Sequence, residues 1–191
     1  AGQKQTGNNF WDSLYVFPQI GMGYQYLNFG NPEILGHANS VFIYERLPLW
    51  RPKGNFVLNA RIMFGLAYIN KIWSFENYQN IAISSHVNVH VGLCMDAGIR
   101  LTDKLSMNAG VRLTHFSNGK LKSPNYGVNV ATSYMGLTYF FSGRSEKNIQ
   151  PVDKPLLPKW RRELIYSAGM TTISAYERGN YFISTLVFNM I

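Results

Sequence analysis

The sequence lacks long apolar runs, paired cysteines and a high density of charge, and each absence excludes a class of protein. No run of about 18 or more uncharged apolar residues occurs, which excludes a transmembrane helix. The single cysteine, Cys94, cannot form an internal disulfide and is interpreted as a small packing residue. Charged residues make up 15% of the chain and aromatic residues 15%, with a mean hydropathy of -0.11. This profile is too polar for helical membrane spans and too aromatic for an average soluble domain.

What the sequence does contain is alternation of apolar and polar residues, with almost no helical periodicity. In 85–101, for example, apolar residues alternate with glycine, histidine, Asp96 and Arg100. Alternation over about 10 residues is the strand signal of a transmembrane β-barrel. The sequence therefore predicts an all-β fold, an antiparallel up-and-down transmembrane β-barrel, as a single domain over 1–191. About eight strands are expected, near 13–29, 38–50, 56–69, 85–101, 105–117, 129–141, 161–176 and 180–191.

A soluble barrel and a membrane barrel share this alternation but turn their apolar faces in opposite directions. Long strands, charged residues beside many small ones on the polar face, and aromatic residues near strand ends favour the membrane barrel. The charged polar-face residues are expected to form a structural network in the lumen: Arg61, Asp96, Arg100 and Arg112. An interfacial girdle is expected from Tyr15, Phe17, Trp50, Tyr68, Tyr139, Phe140, Phe141, Trp160 and Tyr181.

The two ends of the sequence leave the extent of the barrel open. The chain begins at Ala1-Gly2-Gln3, so a secretory signal is expected to have been removed already or to lie outside this sequence. It stops at Phe188-Asn189-Met190-Ile191, whereas many outer-membrane barrels finish on a terminal aromatic residue. The predicted strands are therefore either a whole barrel or part of a longer one.

The chain is basic, with 18 Lys+Arg against 10 Asp+Glu, a net charge of +8 and a pI near 9.6. These basic residues are scattered over turns and strand ends and form no arginine-rich tract, which argues against nucleic acid. The phosphates of lipopolysaccharide fit this charge better. The polar, proline-containing loop 142–160 is expected to be a plug or a contact with a protein partner in a membrane complex. If the Thr102-Asp103-Lys104 turn is periplasmic, 117–128 lies outside and 142–160 in the periplasm.

One strand ends with a histidine and a serine on the same face. Side chains alternate along a strand, so His115 and Ser117 share a side, at a Cα separation of about 6.6 Å. That side is the apolar, lipid-facing side of 105–117. The two groups can act as general base and nucleophile, or Ser117 can simply begin a turn. The other candidate pair, His86 and His90, is interpreted as hydrogen-bonding groups in the lumen.

The residues around this pair resemble the PagL-type lipid A deacylases, often labelled acyloxyacyl hydrolase-like, which are outer-membrane β-barrels. The resemblance is strongest over 60–141. Its motifs are Phe64-Gly65-Leu66-Ala67, Asn80-Ile81-Ala82-Ile83-Ser84-Ser85, His115-Phe116-Ser117-Asn118-Gly119, Pro124-Asn125 and Gly127. It implies hydrolysis of an ester-linked acyl chain of lipid A by a Ser/His/Glu triad on the outside of the barrel. It also implies the outer membrane of a Gram-negative-type envelope, and no cofactor or metal, because the electrophile is an ordinary ester.

Residue by residue, the resemblance makes Ser117 the nucleophile and His115 the general base. Asn118, with the backbone N–H near Gly119, becomes the oxyanion donor set. The third position departs from the family, because the acidic residue falls at Asn129. An amide oxygen can fix the tautomer of a histidine but cannot stabilise the imidazolium as a carboxylate does. Two classes of function therefore remain: a lipid A esterase with altered activity, and a non-catalytic outer-membrane barrel that is structural or accessory to a complex.

Overall fold

The computed structural model describes residues 19–50, 54–141, 161–171 and 181–190. These residues form one closed antiparallel barrel of eight strands, in which each strand pairs with its neighbours in sequence. The strands are β1 (Gln19–Asn28), β2 (His37–Trp50), β3 (Phe56–Ile69), β4 (Val87–Arg100), β5 (Leu105–Ser117), β6 (Val128–Phe140), β7 (Arg161–Thr171) and β8 (Tyr181–Met190).

The barrel closes where β1 pairs with β8, from Met22 opposite Met190 to Asn28 opposite Ser184. The predicted fold class is confirmed, and the eight predicted strands are confirmed over the described residues, whereas the predicted positions 13–18, 172–176, 180 and 191 lie outside them. Of the two alternatives for the extent of the barrel, the closed eight-stranded barrel is correct. Among the described residues, no helix is long and apolar enough to cross a membrane.

The exterior of the barrel is apolar, as the alternation predicts. On β3, Ile62, Phe64 and Leu66 are exposed, whereas Arg61 and Met63, on either side of Ile62, are fully buried. The same alternation of exposed and buried residues follows β4, β5 and β6. Four of the expected girdle residues are exposed aromatics at or beside strand ends, namely Trp50, Tyr68, Tyr139 and Phe141. Tyr15, Phe17 and Trp160 lie outside the described residues, as does the loop 142–160.

The two ends of the barrel differ in their connections and in what fills the lumen. We call the end that carries the loops 29–36, 70–86 and 118–127 the loop end, and the opposite end, with the turn 101–104, the turn end. At the loop end the lumen holds buried apolar side chains, which we call the loop-end cluster. Its members are Leu27, Phe29, Leu35, Ala38, Ala67, Ile69, Ile83, Phe116, Val128, Val130 and Ile183.

Towards the turn end the lumen holds buried ion pairs. Arg61 contacts both carboxylates, at 3.1 Å from Glu163 Oε2 and 3.6 Å from Asp96 Oδ2. Arg46 Nη2 donates to Asp96 Oδ1 at 2.6 Å. Five polar side chains add hydrogen bonds to the two carboxylates: Asn59, Tyr134, Asn108, Thr138 and Asn189. We call these residues the turn-end network.

The predicted lumen residues only partly coincide with this network. Arg61 and Asp96 belong to it, but Arg100 sits at the rim and donates to Asn55 Oδ1 at 3.0 and 2.8 Å. Arg112 is buried, and its guanidinium lies 5.3 Å from the centre of the Tyr134 ring. Sequence reasoning missed Arg46 and Glu163, because strand alternation gives the face of a residue but not its partner across the lumen.

The prediction for His90 is confirmed and that for His86 is wrong. His90 is buried in the lumen, with Nδ1 at 3.0 Å from Ser40 Oγ. His86 precedes β4, which begins at Val87, so the alternation of that strand does not govern its direction. It is exposed, stacks on Tyr68 and places Nδ1 2.7 Å from Ile69 O.

Candidate functional site

Strand register brings the predicted site residues together on the outside of the barrel. His115 of β5 lies directly opposite Asn129 of β6 in the antiparallel ladder. Residues that face each other in such a ladder point to the same side of the sheet, so the two side chains are neighbours. His115 Nδ1 lies 2.7 Å from Asn129 Oδ1. The pair is made at the surface, with His115 half-buried and Asn129 exposed.

This contact sets the tautomer of the neutral imidazole ring. A carbonyl oxygen only accepts hydrogen bonds, so Nδ1 carries the proton and donates it to Asn129 Oδ1. In the neutral ring the other nitrogen, Nε2, then holds a lone pair. Nε2 is therefore the ring nitrogen that is able to accept a proton.

Ser117 follows His115 on the same face of β5 and is half-buried. Its Oγ accepts a hydrogen bond from the Gly119 backbone N–H at 3.3 Å. In the described part of the chain, no hydrogen bond joins Ser117 to His115. Catalytic hydrogen bonds are often long in a free enzyme and shorten in the substrate complex, so this geometry is compatible with a base and nucleophile pair.

The Asn118 side chain lies on the other side of the strand, away from Ser117. It is 4% exposed, and its Nδ2 donates to Ser84 Oγ at 3.1 Å and to Lys122 O at 3.0 Å. Both amide hydrogens are therefore used in holding loops together. Of the two predicted oxyanion donors, the structure places only the backbone N–H of Gly119 beside Ser117.

The segment 118–127, which we call the site loop, is fastened to the loop 70–86. Gly127 N–H donates to Ala82 O at 3.0 Å, and Ser84 Oγ donates to Lys122 O at 2.7 Å. Asn125 Oδ1 accepts from the Asn118 backbone N–H at 3.3 Å. The first two bonds join the site loop to the loop 70–86, and the third lies within the site loop. Together they fix the backbone on both sides of the tip of the site loop.

Gly127 packs against the His115 ring. A Cβ atom at this position would lie 2.8 Å from His115 Cε1 and 3.5 Å from Nε2. The residue also has a φ of 74°, in the left-handed region that glycine adopts most readily. Sequence reasoning found Gly127 only as part of the motif. Its closeness to the His115 ring depends on the path that the site loop takes back to β5, and no local sequence pattern predicts that path.

No group of three or more histidine, cysteine, aspartate or glutamate side chains suited to a metal ion occurs among the residues that the structure describes. The site on β5 and β6 consists of an imidazole, a hydroxyl, a backbone N–H and a carboxamide. These groups suit acyl transfer, in which a base, a nucleophile and an oxyanion donor meet at one carbonyl carbon.

A closed barrel with an apolar exterior belongs to the class of membrane-embedded β-barrels, and this one carries a histidine and a serine on that exterior. The family model of PagL, lipid A 3-O-deacylase, matches residues 2–138. The chain belongs to this family, and the protein is an outer-membrane β-barrel of a family of lipid A hydrolases.

Other comparisons add less. No curated protein matches the chain in sequence. One similar solved structure is Ail, the attachment invasion locus protein of Yersinia pestis, in complex with the heparin analogue sucrose octasulfate. It shares 11% sequence identity over 91% of this chain and 94% of that chain, with a TM-score of 0.40.

Proposed function

We propose that the protein is a serine-type lipid A deacylase that hydrolyses an ester-linked acyl chain at the lipid-facing surface of the barrel. The observation that carries this proposal is the 2.7 Å contact between His115 Nδ1 and Asn129 Oδ1. It leaves Nε2 as the basic nitrogen on the face that also carries Ser117. The family description indicates the 3-O position of lipid A as the ester that is cleaved.

The reaction follows from the roles of these groups. Ser117 Oγ attacks the ester carbonyl carbon while His115 Nε2 takes the hydroxyl proton. The Gly119 N–H donates to the oxyanion that forms. Collapse breaks the ester bond, and His115 returns its proton to the departing sugar oxygen. Water, deprotonated by His115, then attacks the acyl-enzyme, and His115 passes that proton to Ser117 Oγ as the acyl–oxygen bond breaks and a free fatty acid is released.

Asn129 orients His115 but carries no charge. An amide acceptor fixes the ring and its tautomer, whereas a carboxylate would also stabilise the imidazolium that forms in the transition state. We infer that the enzyme is slower than it would be with an acidic residue at this position. Catalysis occurs within the membrane surface, and the loop end of the barrel faces the outer leaflet, where lipid A resides.

The deciding experiment is mass spectrometry of purified lipid A after incubation with the detergent-solubilised protein. The parent should remove one acyl chain, and Ser117→Ala should reduce the rate by at least about a thousandfold because the nucleophile is lost. Ser133→Ala is the matched control, since Ser133 is also exposed on the outer face, on β6. An unchanged lipid A mass with the parent would exclude deacylation and favour an accessory, non-catalytic barrel.

A second pair of variants tests Asn129. Asn129→Glu should raise kcat, by about tenfold if the carboxylate adds about 1.4 kcal/mol of transition-state stabilisation. Asn129→Ala should lower kcat, because the His115 ring loses its Nδ1 acceptor. Equal rates for Asn129, glutamate and alanine would show that this position does not act through His115.

A further inference from the structure

The tip of the site loop carries two lysines that flank a leucine. Lys120, Leu121 and Lys122 are all exposed, and Leu121 is 92% exposed. The site loop 118–127 contains no acidic residue. Of the other two loops described at this end, 29–36 carries Glu33, and 70–86 carries Lys71 and Glu76. Uncompensated positive charge at the described part of the loop end is therefore concentrated next to Ser117.

The backbone holds this tip in a fixed position. Lys122 O accepts hydrogen bonds from both Ser84 Oγ and Asn118 Nδ2, at 2.7 and 3.0 Å. Leu121 N–H donates to Asn118 O at 3.2 Å, which closes a tight turn. The backbone carbonyl of Lys122 is thus bonded while its side chain stays exposed. Both lysine side chains start from a fixed backbone within five residues of Ser117.

The composition of the tip fits one kind of ligand. An exposed leucine at the rim of an apolar barrel surface suits acyl chains, and lysines beside it reach outwards to the polar layer of the membrane. A lysine ammonium group binds phosphate as a point charge, and it does not need the paired, coplanar hydrogen bonds that an arginine guanidinium makes. The tip therefore combines an apolar contact with two cations, as an amphiphile with an anionic head requires.

We propose that Lys120 and Lys122 bind a phosphate group on the sugar of the lipid substrate, while Leu121 packs against its acyl chains. This inference rests on the proposed deacylase function, because it assigns the tip to positioning the same lipid that Ser117 attacks. Lys120 and Lys122 act in binding, so their removal raises KM and leaves kcat unchanged.

The test compares lipid A that carries its phosphates with the same lipid A after enzymatic dephosphorylation, both in detergent micelles. For the phosphorylated lipid, the double variant Lys120→Gln/Lys122→Gln should raise KM about tenfold, as two exposed ion pairs of ordinary strength would. Lys120→Arg/Lys122→Arg should keep the parent KM. Lys71→Gln is the matched control, because Lys71 lies beside Gly36, in the loop 70–86, and carries the same charge.

Each other outcome overturns part or all of the inference. Equal KM values for the parent and the glutamine double variant would exclude phosphate binding by the tip while leaving the deacylase function intact. If the glutamine double variant raised KM equally for the dephosphorylated lipid, the lysines would be shown to contact a part of the lipid other than its phosphate. Competition by submillimolar inorganic phosphate would assign the site to free phosphate, and so would exclude a requirement for the lipid.

Binding without turnover separates this inference from the proposed function. If the parent hydrolyses no lipid, the Ser117→Ala protein is mixed with the two lipids and its bound lipid is counted by native mass spectrometry. The Ser117→Ala protein should prefer the phosphorylated lipid. Loss of this preference when the substitutions Lys120→Gln and Lys122→Gln are introduced into the same protein would support the tip as a phosphate site. Equal occupancy by both lipids would overturn it.

Discussion

The two ends of the lumen are held together by different forces. The loop-end cluster is apolar and includes Phe116, the residue between His115 and Ser117. The turn-end network instead joins Arg46, Arg61, Asp96 and Glu163 by ion pairs across the barrel. Apolar packing at the loop end supports the site from beneath, whereas the ion pairs tie distant strands together at the end without the site. The difference indicates that activity and stability can be changed separately.

The largest effect is expected from breaking the turn-end network. Glu163→Ala removes the carboxylate that accepts two hydrogen bonds from Arg61, at 3.1 and 3.4 Å. Leaving a buried charge without its partner should cost about 3–5 kcal/mol of stability. Urea unfolding of the detergent-solubilised barrel measures this loss. Glu163→Gln keeps the shape and should cost less, and the folded fraction of either variant should keep the parent kcat. A large fall in kcat would show that the two ends are coupled.

A smaller loss of stability, accompanied by a loss of activity, is expected at the loop end. Phe116→Leu shortens a side chain that is 0% exposed and packs edge-on against Phe29, with ring centres 5.7 Å apart. We expect a destabilisation of about 1–2 kcal/mol, measured by the same unfolding assay. Because its neighbours in sequence are His115 and Ser117, kcat should also fall. Ile165→Val is the control and should change stability alone, because Ile165 is fully buried in the lumen but lies outside the loop-end cluster.

A loss of stability of similar size, but directed at the site itself, is expected from Gly127→Ala. The added Cβ meets His115 Cε1 at 2.8 Å, and the left-handed backbone costs about 1–2 kcal/mol for a residue other than glycine. The ring should therefore shift away from Asn129. Histidine NMR signals of the variant should show loss of the Nδ1 hydrogen bond, and kcat should fall with KM unchanged. A parent-like Nδ1 signal would show that the loop moves instead of the ring.

The sequence was sufficient to predict the barrel, because every strand repeats one simple rule of alternation. It also predicted that His115 and Ser117 share the outer face, since that requires only the period of a strand. The contact between His115 and Asn129 depends on register between β5 and β6, and the resemblance to the family supplied it. The partners of Arg61 and the hydrogen-bond partners of Asn118 were not predictable, because they depend on residues across the lumen or on another loop.

Asn118 shows why a motif does not determine the direction of each side chain. It is the first residue after β5, and the alternation of the strand already places it opposite to Ser117. Its amide then meets Ser84 and Lys122 and becomes part of the support for the site loop. Gly119, one residue further on, provides the N–H that faces Ser117. Residues with a structural role and residues with a proposed catalytic role therefore alternate along the motif, as the side chains do.

The pairing of β1 with β8 also sets the order in which the barrel can be completed. Seven other ladders join strands that follow one another in the chain, but this ladder joins Asn28 to Ser184. Contacts between residues far apart in sequence form slowly, because a long loop must close first. Until β8 arrives, β1 and β7 each keep an open edge that can pair with another chain. We therefore expect closure to be a late step, and the barrel to be most exposed to aggregation in the interval before it.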